Sequence, residues 1–194
     1  MKLLKTLLFA LCFSATSLFA QDFSISANLG WAVPGGSGVS DDPEDLNLNG
    51  GLTISADALY HLSPEFGVGL NYLSSALAGA GGGDVDIFGM RFIGAKALYR
   101  LKDEGFSPYG GLSLGLSQLL TPEYSITSGG ETTVIPEQTG SGFGIVPELG
   151  IAFGGFQISA AYLLPTKYTI DDVIADKSVG TLNINLGYRY NFGF

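Results

Sequence analysis

The chain predicts an all-β fold, an eight-stranded antiparallel up-and-down transmembrane β-barrel. Three observations predict it. Apolar and polar residues alternate with period two in eight separate segments, the connections between segments alternate between short and long, and charges are nearly absent from the apolar face of every segment. Composition agrees. The 194 residues are 46% hydrophobic and 12% aromatic, with 29 glycines, yet no long apolar helix can be drawn after residue 20. Glycine costs about 1 kcal/mol against alanine in a helix, so this mixture favours strands.

The chain opens with Lys2 and Lys5, an apolar run from Leu7 to Phe13, and Leu18-Phe19-Ala20 before Gln21. This reads as a secretory signal peptide over 1–20, cut near Ala20, with the transmembrane β-barrel occupying 21–194. The run is too short for a membrane-crossing helix, which needs about 20 apolar residues. Cys12 lies within it and follows Leu11, larger than a lipoprotein-processing site wants, so no lipid anchor and no mature cysteine are expected. Loss of the leader removes two of nine basic residues; seven then face eighteen acidic ones, a net charge near −11. Nucleic acid is excluded as a partner on that balance.

The first strand is read at 22–34, with Phe23, Ile25, Ala27, Leu29, Trp31 and Val33 outward. The second, 50–62, turns Leu52, Ile54, Ala56, Ala58 and Tyr60 outward and Thr53, Ser55, Asp57, Leu59 and His61 inward. Ser63-Pro64-Glu65 leads to a third strand, 66–75, and the fourth, 87–101, sets Ile93, Ala95, Ala97 and Tyr99 against Lys96 and Arg100. It also puts Arg91 on the apolar face, near the loop end. A fifth strand follows at 107–118. The sixth, 142–154, carries Pro147, which cannot donate to a ladder and warns against a regular strand. Gly154-Gly155 reads as a two-residue hairpin turn into the seventh, 156–164. The eighth ends the chain, Leu182 to Phe194, with seven apolar residues on one face and Asn183, Asn185, Arg189 and Asn191 on the other.

Connections at 63–65, 102–106 and 154–155 are tight, whereas 35–49, 76–86, 119–141 and 165–178 are long and rich in Gly, Pro, Ser, Asp and Glu. Outer-membrane barrels show this asymmetry between periplasmic turns and extracellular loops. Both termini are then expected on the periplasmic side. A soluble ligand barrel would put its charges outside, the reverse of what is read here.

The chain resembles the small eight-stranded bacterial outer-membrane barrels, the group of outer membrane protein X and of the membrane domain of outer membrane protein A. Its most specific piece is Tyr188-x-Tyr190-x-Phe192-x-Phe194, similar to the signal read by the barrel assembly machinery of Gram-negative bacteria. The resemblance implies an outer-membrane, porin-like envelope protein inserted by that machinery, in contact with outer-membrane lipid and lipopolysaccharide, and monomeric. The chain ends with the barrel, so a tethering role through a periplasmic domain is not expected.

Asp57, Lys96, Arg100, Glu148 and Arg189 all fall on the inward face. Asp57, Lys96, Glu148 and Arg189 each lie five residues before the turn end of their strands, which puts two acids and two bases at similar height. Shear prevents equal offsets from being read as contact. Two readings stay open, an internal salt-bridge network that fills the lumen and a gated ion path. The long loops hold twelve carboxylates: Asp41, Asp42, Glu44, Asp45, Asp84, Asp86, Glu123, Glu131, Glu137, Asp171, Asp172 and Asp176. They can attract divalent cations or basic partners, or simply keep the loops solvated. Asp45-x-Asn47-x-Asn49-Gly50 copies the first half of a calcium loop, but its twelfth position is Ala56. No cofactor is implied. The single histidine, His61, sits at the turn-end rim without an obvious serine partner, so no enzyme is expected. The leading functional reading is a non-enzymatic barrel supporting envelope integrity, adhesion or recognition. The alternative is a narrow channel or conduit for ions or small apolar molecules.

Overall fold

A computed structural model describes residues 23–39, 47–81, 84–101, 105–128, 131–168 and 178–192. The signal-peptide reading therefore lies outside the described residues, as does Phe194. Among the described residues there are ten strands: β1 Phe23–Gly35, β2 Leu48–His61, β3 Phe66–Gly81, β4 Asp84–Arg100, β5 Phe106–Thr121, β6 Tyr124–Ser128, β7 Glu131–Ile135, β8 Gln138–Phe153, β9 Phe156–Lys167 and β10 Ser178–Phe192. Eight of them close a barrel in the order β1-β10-β9-β8-β5-β4-β3-β2, and β6 pairs with β7 in a separate hairpin. Every pairing is antiparallel. Closure leaves the barrel without an edge, which a sheet in hydrocarbon requires.

Side chains divide by parity as the pleat demands. Outward residues stay exposed although they are large and apolar: Leu149 at 73%, Phe143 at 65% and Leu70 at 60% decide the matter, since a soluble protein rarely exposes such a continuous surface. Arg91 also points out. It stands nine residues above the turn end of β4, about 23 Å up at roughly 3.3 Å per residue and a strand tilt near 40°. An apolar band about 25 Å tall would place it at the upper boundary of the hydrocarbon, where a charge costs little.

The turn end carries a girdle that the alternation alone did not reveal. Each barrel strand contributes an aromatic there: Phe23, Tyr60, Phe66, Tyr99, Phe106, Phe153, Phe156 and, on β10, Tyr188, Tyr190 and Phe192. Register sets several side by side, as Phe23 beside Phe192 and Tyr60, Phe66 beside Tyr99, and Phe106 beside Phe153. Phe156 meets Tyr188 edge-on at 5.2 Å. Aromatic belts of this kind sit at the headgroup level of a bilayer.

Several expected boundaries need correction. The connection 76–86 is not a long loop, because β3 and β4 stay paired from Phe66–Tyr99 to Gly81–Asp84. Asp84 and Asp86 are therefore strand residues. The span 119–141 is not loop throughout either: β5 runs to Thr121, β8 begins at Gln138, and the β6–β7 hairpin stands between them. Pro147 is accommodated. It pairs with Leu112 of β5, and on its other side the β8–β9 ladder starts only at Glu148–Ala161, so no donor is required of it there. Gly154 takes a φ of 59° in the two-residue turn between β8 and β9, a left-handed conformation that suits glycine.

Candidate functional site

The barrel interior is divided by height. From mid-height to the loop end it is filled by Ala32, Leu48, Leu73, Leu77, Met90, Phe92, Leu119, Val146, Ala161, Leu163 and Val179, all at most 6% exposed. All eight barrel strands contribute to this plug. Tyr168, just beyond β9, turns into its top, where its hydroxyl and that of Ser117 share a hydrogen bond. Burial raises the Tyr168 hydroxyl above its usual pKa, so it stays neutral there. Polar groups of this half also bond across the lumen: Ser75 Oγ donates to Asn183 Oδ1 at 3.0 Å, from β3 to β10.

The charges occupy the half nearer the turns. Lys96 Nζ donates to both oxygens of Asp57 at 2.9 Å and to Glu148 Oε2 at 2.5 Å. Asn71 Nδ2 donates to Asp57 Oδ1 at 2.8 Å and Ser26 Oγ to Oδ2 at 2.9 Å. Tyr109 completes the set, donating its hydroxyl to Glu148 Oε1 at 3.2 Å. Asp57 and Lys96 are 3% exposed and Glu148 8%. Such a cluster survives dehydration only because nearly every lone pair and proton is used. Glycine makes the room. A Cβ at position 150 would sit 2.4 Å from the Tyr109 ring, and one at 111 would press the Lys96 stem at 3.2 Å.

Of the five inward charges read from the sequence, Asp57, Lys96 and Glu148 are brought together. Arg189 lies closer to the turn end, with Cζ 5.4 Å from the Tyr109 ring centroid. Arg100 is buried opposite Tyr109 in register. Asn71, Ser26 and Tyr109 were not singled out as partners; their inward parity was readable, but which strands meet at that height depends on shear. His61 needs a correction. It is 8% exposed inside the barrel, and its Nε2 shares a 2.8 Å hydrogen bond with Ser24 Oγ. The serine was missed because it lies 37 residues away, on β1. Of the residues the sequence offers as an assembly signal, Tyr188, Tyr190 and Phe192 face outward in the girdle.

Seven of the twelve carboxylates assigned to loops, Asp41, Asp42, Glu44, Asp45, Asp171, Asp172 and Asp176, lie outside the described residues. Among the described ones, no three acidic, histidine or cysteine side chains gather to hold a metal. Asn49 and Gly50 of the calcium-like segment belong to β2.

No protein-family model and no curated protein matches the chain. Solved structures do. The chain is similar to Ail, the attachment invasion locus protein of Yersinia pestis, in a complex with the heparin analogue sucrose octasulfate: TM-score 0.51 and 20% identity, over 88% of this chain and 99% of that one. Neisserial surface protein A follows at TM-score 0.49 and 17% identity over 87% and 97%, and OprG of Pseudomonas aeruginosa at 0.48 and 12% over 88% and 96%. At these identities the likeness speaks for the fold. The class is thus a transmembrane β-barrel, and its particular form is that of the small eight-stranded outer-membrane barrels.

Proposed function

We propose that the chain is a non-enzymatic outer-membrane protein whose barrel is a sealed scaffold and whose loops act at the cell surface, in envelope integrity, adhesion or recognition. The plug carries this reading. Residues from all eight strands, Met90, Phe92 and Leu119 among them at 1% exposure or less, fill the loop-end half of the lumen. An eight-stranded barrel encloses just enough space for side chains to fill, so nothing is left for a diffusing solute. The aromatic girdle and short turns support a periplasmic turn end, with both termini periplasmic and the loops extracellular. Tyr188, Tyr190, Phe192 and Phe194 would serve as the assembly signal, and one chain would form one barrel.

The loop chemistry limits the partner. Ail has been seen with a sulfated sugar, but the twelve carboxylates that the sequence assigns to the long connections would repel one. Basic protein surfaces, or divalent cations shared with lipopolysaccharide, fit that field instead. The test is a Val134→Cys variant, whose side chain in the β6–β7 hairpin is 55% exposed. Labelling of intact cells by a membrane-impermeant maleimide is the expected result; labelling only after permeabilisation would reverse the topology.

A second reading, a conduit for small apolar molecules, rests on one observation. The β8–β9 ladder holds six residue pairs, from Glu148–Ala161 to Phe153–Phe156, against ten to sixteen in the other barrel ladders. Beyond it the wall is flanked by Pro147 and Pro165, which lack N–H donors. A disulfide from Val146→Cys and Leu163→Cys would staple this seam. Slower uptake of an apolar solute after oxidation would favour the conduit, and unchanged uptake the sealed scaffold.

A further inference from the structure

Arg189 is the charged group that a sealed scaffold leaves unexplained. It points inward from β10 at 4% exposure, and its Nε, Nη1 and Nη2 are buried without a hydrogen-bond partner. The Tyr109 ring covers one face, with Cζ 5.4 Å from its centroid. A cation–π contact does not replace the five N–H bonds a guanidinium can donate, and an unpaired buried charge is strongly unfavourable.

Among the described residues, the buried carboxylates are already committed. Asp57 accepts from Asn71, Ser26 and Lys96, and Glu148 from Lys96 and Tyr109. Among the buried described side chains, three bases, Lys96, Arg100 and Arg189, stand against these two acids.

We propose that Arg189 binds a small oxyanion, a carboxylate or phosphate group, in the turn-end half of the lumen. The guanidinium fork matches two oxyanion oxygens at once. The β1 wall frames the site, with Ser26 opposite Arg189 in register and Ser24 one inward position nearer the turns. Ser26 donates to Asp57, while Ser24 shares its bond with His61; when His61 is the donor of that bond, the Ser24 hydroxyl proton is left for the anion. Two buried acceptors, Gln157 Oε1 and Asn185 Oδ1, have no partner and bound the site on its loop-end side, where an anion would be repelled. With the plug above, the anion enters and leaves from the turn end. This is a dead-end binding site and not a passage.

The experiment uses the refolded chain in lipid nanodiscs with its three arginines, Arg91, Arg100 and Arg189, labelled with nitrogen-15. Inorganic phosphate and, separately, acetate are titrated at constant ionic strength while the arginine Nε–Hε resonances are followed. Saturable movement of one resonance, missing from the spectrum of Arg189→Lys, is expected. Arg189→Met should weaken apparent phosphate affinity at least tenfold and abolish the rise of the unfolding midpoint with phosphate, a rise that follows from binding to the folded state alone. A linear, non-saturating drift in the wild-type chain would overturn the proposal, as would an unchanged phosphate response in Arg189→Met or a crystal structure with water alone on the guanidinium. Should Arg189→Met fail to fold, the wild-type titration and Arg189→Lys still decide.

Discussion

The two halves of the lumen solve the same packing problem with opposite chemistry. Toward the loops, Phe92, Met90, Leu119 and Leu163 exclude water by filling space. Toward the turns, Lys96, Asp57 and Glu148 fill it with charges that must satisfy one another. The apolar half tolerates approximate fit, because each contact is small and non-directional. The charged half does not, since one missing partner exposes a buried ion. Sealing is therefore assigned to the first, while the second fixes which strands lie opposite each other and, at Arg189, leaves a donor over for a ligand.

Substitutions sharpen this contrast. The largest effect should come from Lys96→Met, which leaves two carboxylates buried face to face; equilibrium unfolding from lipid vesicles by urea should show a loss of about 3–5 kcal/mol. Adding Asp57→Asn and Glu148→Gln should recover much of it, and a triple variant no better than the single would mean that charge is not what the layer depends on. Leu119→Ala comes next, at about 2–4 kcal/mol in the same assay, because a fully buried side chain leaves a cavity among Met90, Phe92 and Leu163. Unlike Lys96→Met, no second-site neutralisation should rescue it. Tyr168→Phe is smallest, about 1 kcal/mol, the net value of the bond to Ser117. Burial of the hydroxyl adds a pH signature. The raised folded pKa of Tyr168 keeps its stabilisation intact below about pH 10, the unfolded value, and loses it as pH rises toward the folded value. The wild type should therefore destabilise more steeply than Tyr168→Phe in alkaline solution, and parallel curves would remove the tyrosine from the seal.

Parity made the barrel and the inward set legible. From Leu182 to Phe192 the alternation alone assigns each residue to lipid or lumen, and the structure agrees at every position except the glycine-loosened 187 and the exposed Asn191 near the chain end. Strand length was less legible. Residues 76–81 and 84–86 are, apart from Leu77 and Val85, small or acidic and read as loop, yet the pairing of β3 with β4 carries them as strand. The hairpin 124–135 escaped notice for a related reason, since two strands of five residues are too short for alternation to stand out. Within the site, Asp57, Lys96 and Glu148 were readable as inward charges but not as a triad, because contact depends on shear and not on distance from the strand end. Ser24 with His61 failed for the same reason. A pair across neighbouring strands is invisible until register is known.

The claim that the loop-end half closes the lumen is tested most directly by planar-bilayer conductance of the refolded chain. The account predicts a silent wild type and the appearance of a leak in Phe92→Ala combined with Leu119→Ala, while neutralising Lys96, Asp57 and Glu148 together leaves the bilayer silent. Stable openings in the wild type, abolished by Glu148→Gln or Lys96→Met, would contradict it and make the charged half a pathway.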